Sequence, residues 1–272
     1  MPITRQIGLK LPLKGKRRMI MKKITALLLT VVMAASMLTA CSIKIQGPGK
    51  SGEDTDKKGE GVMTYDEYVA APLDSEVTVE TYVQAANGWW DGKITLYTQD
   101  KEGGYFIYDM PCTEEDAAKF VPGTKLKIKG YKSEWSGEVE IIDATFEIED
   151  GSYIAEAEDV TDLLGKDELI NSMNRFVSFK GLTIEPSKDA DGNEAPFLYN
   201  WDGSGDVGND VYFNVSKDGQ TYTFLVRAYL TGPDTDVYKT AQTLKVGDTI
   251  DCDGFLYWYE GVNPHITSIS IK

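Results

Sequence analysis

The chain has 272 residues, with 28 basic against 43 acidic, a formal net charge of −15, and aromatic side chains at 11% of positions. That length suits two domains of ordinary size, and three cysteines are too few for a disulfide framework. The acidic excess argues against nucleic acid as a main partner, because such affinity rests first on Lys and Arg neutralising phosphates.

At the start, "MKK" (residues 21–23) is basic, "ITALLLTVVMAASM" is apolar, and small residues lead into Cys41. This order predicts a secretory signal over residues 1–40. The tetrapeptide Leu38-Thr39-Ala40-Cys41 resembles the lipobox of bacterial lipoproteins. The resemblance implies that Cys41 carries a thioether-linked lipid and becomes the mature N-terminus, a lipidation site on the extracytoplasmic face of the cell membrane. A plain transmembrane helix is the competing reading, but the apolar run is at or below the roughly 20 residues a span needs. Arg17–Arg18 upstream reads either as a twin-arginine signal or as leader before a true start at Met21, and the second is simpler. Residues 1–40 hold eight basic side chains and no acidic ones, so residues 41–272 carry a net −23.

Residues 41–62 are rich in Gly, Lys, Asp and Glu and lack aromatics, which predicts a flexible tether. "GPGKS" within it imitates a phosphate-binding loop, but Lys44 stands where the motif needs its first Gly. Thr64 and Glu67 have capping-box spacing, so a short helix follows. Val77, Val79, Thr81 and Val83 alternate as a strand does. A loop with Trp89 and Trp90 leads to a second strand from Lys93 and, past "KEGG", to a third, "YFIYDM". "CTEEDAAKFV" reads as a helix capped by Thr113, and two further strands span residues 124–135 and 137–149.

Most of this order then recurs. Gly123, Leu126, Ile128, Gly130, Tyr131, Trp135 and Gly137 match Gly247, Ile250, Cys252, Gly254, Phe255, Tyr259 and Gly261, each 124 residues on. Strands are expected at residues 175–184, 210–219, 221–231 and from Gly247, a helix over 234–244, and a last strand in "PHITSISI". Three strands, a helix and two strands is the order of the five-stranded Greek-key barrel called the OB-fold. The Gly-x-x-Leu-x-Ile-x-Gly spacing of residues 123–130 resembles the fourth strand of the OB-fold family that includes tRNA-anticodon-binding domains. The resemblance implies a mainly β protein of two tandem five-stranded OB-type barrels, each with a helix between strands 3 and 4. Domain 1 is expected over residues 63–150 and domain 2 over 151–272, the latter with an acidic Gly-rich insertion at 186–210. A single large β-sandwich is the alternative.

An OB-fold binds on strands 2 and 3, bracketed by the loops joining strands 1–2 and 4–5. The aromatics falling there are Trp89, Trp90, Tyr97, Tyr108 and Trp135 in domain 1, and Tyr199, Trp201, Tyr257, Trp258 and Tyr259 in domain 2. Such rings stack on flat ligands or close the barrel mouths. The expected activity is therefore binding without catalysis, the ligand a glycan or cell-envelope polysaccharide. A structural or protein-interaction lipoprotein is the alternative, and nucleic acid stands last. His265 is the only histidine, no triad or zinc set can be assembled around it, and neither cofactor nor metal is expected. The acidic insertion alternates oxygen ligands without calcium-loop spacing.

Overall fold

The computed structural model describes residues 58–272. The signal, the lipidation site at Cys41 and most of the tether lie outside the described residues. All of the described residues belong to one compact unit.

A capping box opens helix α1 (Tyr65–Ala70): Glu67 N donates to the Thr64 hydroxyl, and Thr64 N donates to the Glu67 carboxylate. Five strands follow: β1 (Glu76–Ala86), β2 (Lys93–Gln99), β3 (Gly104–Pro111), β4 (Thr124–Trp135) and β5 (Glu138–Ser152). They close in the order β1-β2-β3-β5-β4, with only β3–β5 parallel. Alternation places Val77, Val79, Leu126 and Ile128 inside, while Lys125, Lys127 and Lys129 point outward. Lys132 is inward-facing, and its ammonium donates to the carbonyls of Tyr68, Val69 and Ala71 at 2.8–3.0 Å. Three carbonyls at the end of α1, of which Tyr68 also accepts from the Ala71 N–H, are thereby served by a cation, the sign the helix C-terminus favours, and the helix is pinned across one barrel end.

The second barrel repeats this plan. Short pieces β6 (Glu158–Asp159), β8 (Ser187–Lys188), β9 (Glu194–Ala195) and β10 (Leu198–Tyr199) decorate it. Its wall is β7 (Phe176–Glu185), β11 (Val211–Lys217), β12 (Gln220–Val226), β13 (Thr249–Phe255) and β14 (His265–Ile271). The β11–β7 pairing closes the ring, and β12–β14 is its parallel step. Two closed five-stranded barrels therefore stand where the repeat placed them, and the sandwich alternative falls.

The 124-residue offset extends to geometry. A Cβ on Gly130 would lie 2.7 Å from the Ile142 carbonyl, and one on Gly254 would lie 2.8 Å from the Ile266 Cα. Both glycines sit at a register shift in the pairing of strands 4 and 5. Each is a place where adjoining backbone approaches too closely for a side chain.

Other expectations shift. The helix between strands 3 and 4 is only α2 (Glu114–Ala117) in barrel 1, capped by Thr113. In barrel 2 it is two short pieces, α3 (Ala228–Thr231) and α4 (Asp236–Ala241). The strand expected over residues 221–231 stops at Val226, because the Asp210 carboxylate takes the Ala228 N–H at 2.7 Å and starts α3 there. Cys112 and Cys252 are both free thiols. Cys252 occupies the inward position of Ile128 and behaves as a small apolar residue; burial pushes its thiol up. Among the described residues no helix is long and apolar enough to cross a membrane.

Candidate binding cleft between the barrels

The barrels meet through a small aromatic core. Tyr97 on β2 and Phe106 on β3 pack against Phe255 at the end of β13, with Phe176 beside it. Ring centroids lie 4.8 Å apart for Tyr97–Phe255 and 5.3 Å for Phe106–Tyr257. Hydrogen bonds ring this core. Phe176 N donates to Gln99 Oε1 at 2.7 Å, Arg175 Nη2 to the Glu102 carbonyl at 2.6 Å, and Trp258 N to Glu138 Oε2 at 2.8 Å. Glu260 N donates to the Ser136 carbonyl at 2.7 Å.

At the edge of the core the Tyr97 hydroxyl lies 2.7 Å from His265 Nδ1. Burial raises that hydroxyl far above the usual phenol range, so it keeps its proton, and Nδ1 is its only acceptor. Burial, with Arg227 nearby, pushes the imidazole well below its ordinary pKa, so the ring is neutral. The proton then belongs on Nε2, and that buried nitrogen has no partner among the described residues.

Beside this core opens a cleft of about 730 Å³. Barrel 1 contributes Tyr108, Trp135 and Glu140; barrel 2 contributes Trp201, Tyr212, Arg227, Tyr257, Tyr259, Asn263 and His265. Trp135 (62% exposed) and Trp201 (75%) present ring faces to solvent at its margin. Tyr257 stacks on His265 with centroids 4.3 Å apart. The Arg227 guanidinium makes no hydrogen bond among the described residues; its counterion, Asp210, is 3.6 Å away. Glu140 is buried and makes no hydrogen bond among the described residues, and desolvation, with Asp109 adding to it, raises its carboxyl to about 7. Glu138, buried just outside the cleft, is raised further, to about 8, by desolvation that the Trp258 N–H only partly offsets.

Of the aromatics expected from sequence, Tyr108, Trp135, Trp201, Tyr257 and Tyr259 are brought together here. Tyr97, 2% exposed, is sealed in the junction core, where no ligand reaches it. Trp89 donates its indole N–H to the Cys112 carbonyl at 3.1 Å, and Trp90 borders a separate depression with Asn87, Lys93 and Tyr229. Tyr199 packs on the barrel 2 core and accepts from Gln242, and Trp258 packs on the same core. These five aromatics thus gather in one shared cleft rather than on one face per barrel. Glu140, Tyr212, Arg227 and Asn263 were not expected. One signal was available for Arg227: with Arg175 it is one of only two arginines in residues 41–272. In the acidic insertion, both Asp189 oxygens are occupied by Asp191 and Asn193.

No protein-family model matches the chain, and no curated protein matches it. Solved structures do. An Ifi202 HINa domain in complex with 20-bp double-stranded DNA matches at TM-score 0.33 and 11% identity, over 73% of this chain and 98% of that one. A murine DNA-binding protein bound to double-stranded DNA matches at 0.33 and 16%, over 72% and 97%. A replication protein A heterotrimer bound to single-stranded DNA matches at 0.26 and 10%, over 72% and 49%. The expectation of a glycan-binding protein with nucleic acid as an improbable partner is corrected on this finding: all three of these matches are DNA-bound proteins. At such TM-scores the likeness carries nothing further, and what the cleft can hold follows from its own groups.

Proposed function

We propose that the protein is a binding protein whose inter-barrel cleft takes the planar ring of a nucleobase, presented by a free nucleoside or by an unpaired base of a strand. The observation that carries this reading is the convergence of Tyr108, Trp135, Trp201, Tyr257 and Tyr259 around two polar groups with unused hydrogen-bonding capacity, Arg227 and Glu140. Rings supply stacking surface, and the polar pair supplies edge recognition, the division of labour single-stranded nucleic acid binders use. The cleft holds one guanidinium and no lysine. It therefore favours the base over the phosphate backbone, and binding should show only a shallow dependence on salt.

Tryptophan fluorescence tests this directly. Titration with nucleosides and a short single-stranded oligonucleotide should give saturable quenching. Trp135→Ala and Trp201→Ala should each weaken binding by about 5- to 150-fold, the measured range for base–aromatic stacking of about 1–3 kcal/mol. Trp90→Ala, outside the cleft, should leave it unchanged. No saturable signal with any nucleoside or oligonucleotide sinks the proposal.

We infer further that the chain works outside the cytoplasm on a lipid anchor at Cys41. The support is the basic–apolar–LTAC order of residues 21–41. Cys41→Ser should abolish incorporation of labelled fatty acid and release the protein from the membrane fraction; unchanged labelling would refute the anchor.

A further inference from the structure

We propose that the cleft selects guanine among the nucleobases, an inference that rests on the nucleobase reading above. The two charged side chains of its lining come from opposite barrels and have opposite hydrogen-bonding character. Arg227 follows β12 of barrel 2 and only donates; its planar fork has no hydrogen-bond acceptor among the described residues. Glu140 lies on β5 of barrel 1 and, once ionised, only accepts; no donor reaches it. His265 adds a third donor at Nε2, buried in the cleft wall and unpartnered. Asn263 adds little, because its amide already donates to the Thr223 carbonyl at 3.0 Å. A ring filling this slot must offer adjacent acceptors along one edge and donors along another.

Guanine does so. Its O6 and N7 present two acceptors side by side, the pair an arginine fork engages at both points. Its N1–H and N2 amino group lie on the other edge and suit a carboxylate, which accepts without a competing proton. Adenine sets an N6 donor beside N7 and would turn one Arg227 N–H toward another N–H. Cytosine offers its N4 donor to Glu140 but lacks the O6/N7 pair, and uracil lacks an exocyclic amine. The buried, unsatisfied Nε2 of His265 and the largely desolvated carboxyl of Glu140 make the discrimination steep, since a ligand that leaves such groups unpaired forfeits their hydrogen bonds after displacing water.

The test is a fluorescence titration of the whole described unit with guanosine, adenosine, cytidine, uridine, inosine and 7-deazaguanosine. Guanosine should bind roughly tenfold or more tightly than the other three common nucleosides. Inosine, which lacks N2, and 7-deazaguanosine, which lacks N7, should fall between. Glu140→Gln should bring guanosine to the level of inosine, and Arg227→Lys should erase the penalty for 7-deazaguanosine, with the circular dichroism of the folded protein retained in both. A guanine-containing oligonucleotide run beside guanosine separates a strand from a free nucleoside as the source. Equal affinity for all four nucleosides, or a preference for cytidine, overturns this inference and leaves the nucleobase reading standing. Absence of binding to every nucleoside overturns both.

Discussion

The stretch from Tyr131 to Ile141 in barrel 1 and its counterpart from Phe255 to His265 in barrel 2 are equally long and do opposite things. In barrel 1, Tyr131 to Trp135 stays paired with Ile142 to Glu138 as a tight hairpin turning at Ser136–Gly137. In barrel 2, continuous pairing stops at Phe255↔His265, and the nine residues between, held by one isolated bridge at Trp258↔Val262, open into a loop carrying Tyr257, Tyr259 and Asn263 to the cleft. The 124-residue offset puts Pro264 where barrel 1 has Glu140. Proline has no N–H to give a ladder, so one hairpin can zip and the other cannot. The zipped copy delivers Trp135 on a rigid arm, and the opened copy wraps the opposite wall. One framework duplicated, then broken in one copy, yields a two-sided site that neither barrel has alone.

If the frameworks are mechanically equivalent, damage to the shared glycine should cost the same in each. Gly130→Ala and Gly254→Ala each force a Cβ into the backbone of the neighbouring strand. Chemical denaturation should show a loss toward the upper end of the roughly 1–3 kcal/mol typical of overpacking. A copy that tolerates its alanine would break the equivalence.

The next largest effect concerns a position where the copies differ. Glu138 corresponds to Val262, and only the glutamate brings a buried carboxyl to the junction. Its folded pKa, about 8, lies above that of the unfolded chain, so the protonated form favours folding. Its contribution is fully present below the unfolded value near 4.3 and is lost as pH rises to about 8. Glu140, facing Asp109, Glu138, Tyr68 and Tyr257, acts in the same direction up to about 7. Denaturation midpoints should therefore fall with pH, by up to about 1.4 kcal/mol per unit for each titrating group. Glu138→Gln should flatten the stretch from 7 to 8, where Glu140 no longer contributes. An unaltered slope there would place the titration elsewhere.

At the adjoining position barrel 1 has Ile141, buried in its core, and barrel 2 has His265. His265→Leu leaves the Tyr97 hydroxyl buried without an acceptor and should cost about 1–3 kcal/mol. Tyr97→Phe in the same chain should recover part of that loss. A double-mutant cycle with no coupling would mean that the pair does not hold the barrels together.

What the sequence made legible follows from which forces are local. Alternation, glycine spacing and the Thr64 and Thr113 caps act over a few residues, so both barrels could be read from the repeat. The five convergent aromatics were visible as residue types, four in the bracketing loops and Tyr108 on strand 3. Their convergence was not, because it depends on how one barrel is turned against the other, a matter decided by Tyr97, Phe106, Phe255 and Phe176 across about 80–160 residues of chain. For the same reason Tyr97 looked like a ligand contact and is interior. Glu140 was invisible because nothing local distinguishes a strand glutamate facing water from one facing a shared cleft, and Arg227 stood out only by the rarity of arginine in residues 41–272.

The smallest expected effect tests the outward faces, where Lys125, Lys127 and Lys129 give way to Thr249, Asp251 and Asp253. The change is locally balanced. In barrel 1, Lys125 bridges Glu80 and Glu149 at 3.0 Å each, and Lys129 meets Glu76 at 3.0 Å. In barrel 2, Asp251 meets Lys272 at 2.6 Å, and Asp253 accepts from Ser268 at 2.7 Å. Exposure decides which of these matter. Lys129 and Glu76 are both about half exposed, so Lys129→Ala should change stability by no more than about 0.5 kcal/mol and by less in high salt. Lys125 is largely covered and serves two carboxylates, one of them the buried Glu80, so Lys125→Ala should cost more, about 1–3 kcal/mol. Equal effects of the two substitutions in a denaturation series would show that charge on these faces acts through the overall field and not through its partners. The swap of sign between the barrels would then need a cause outside either fold.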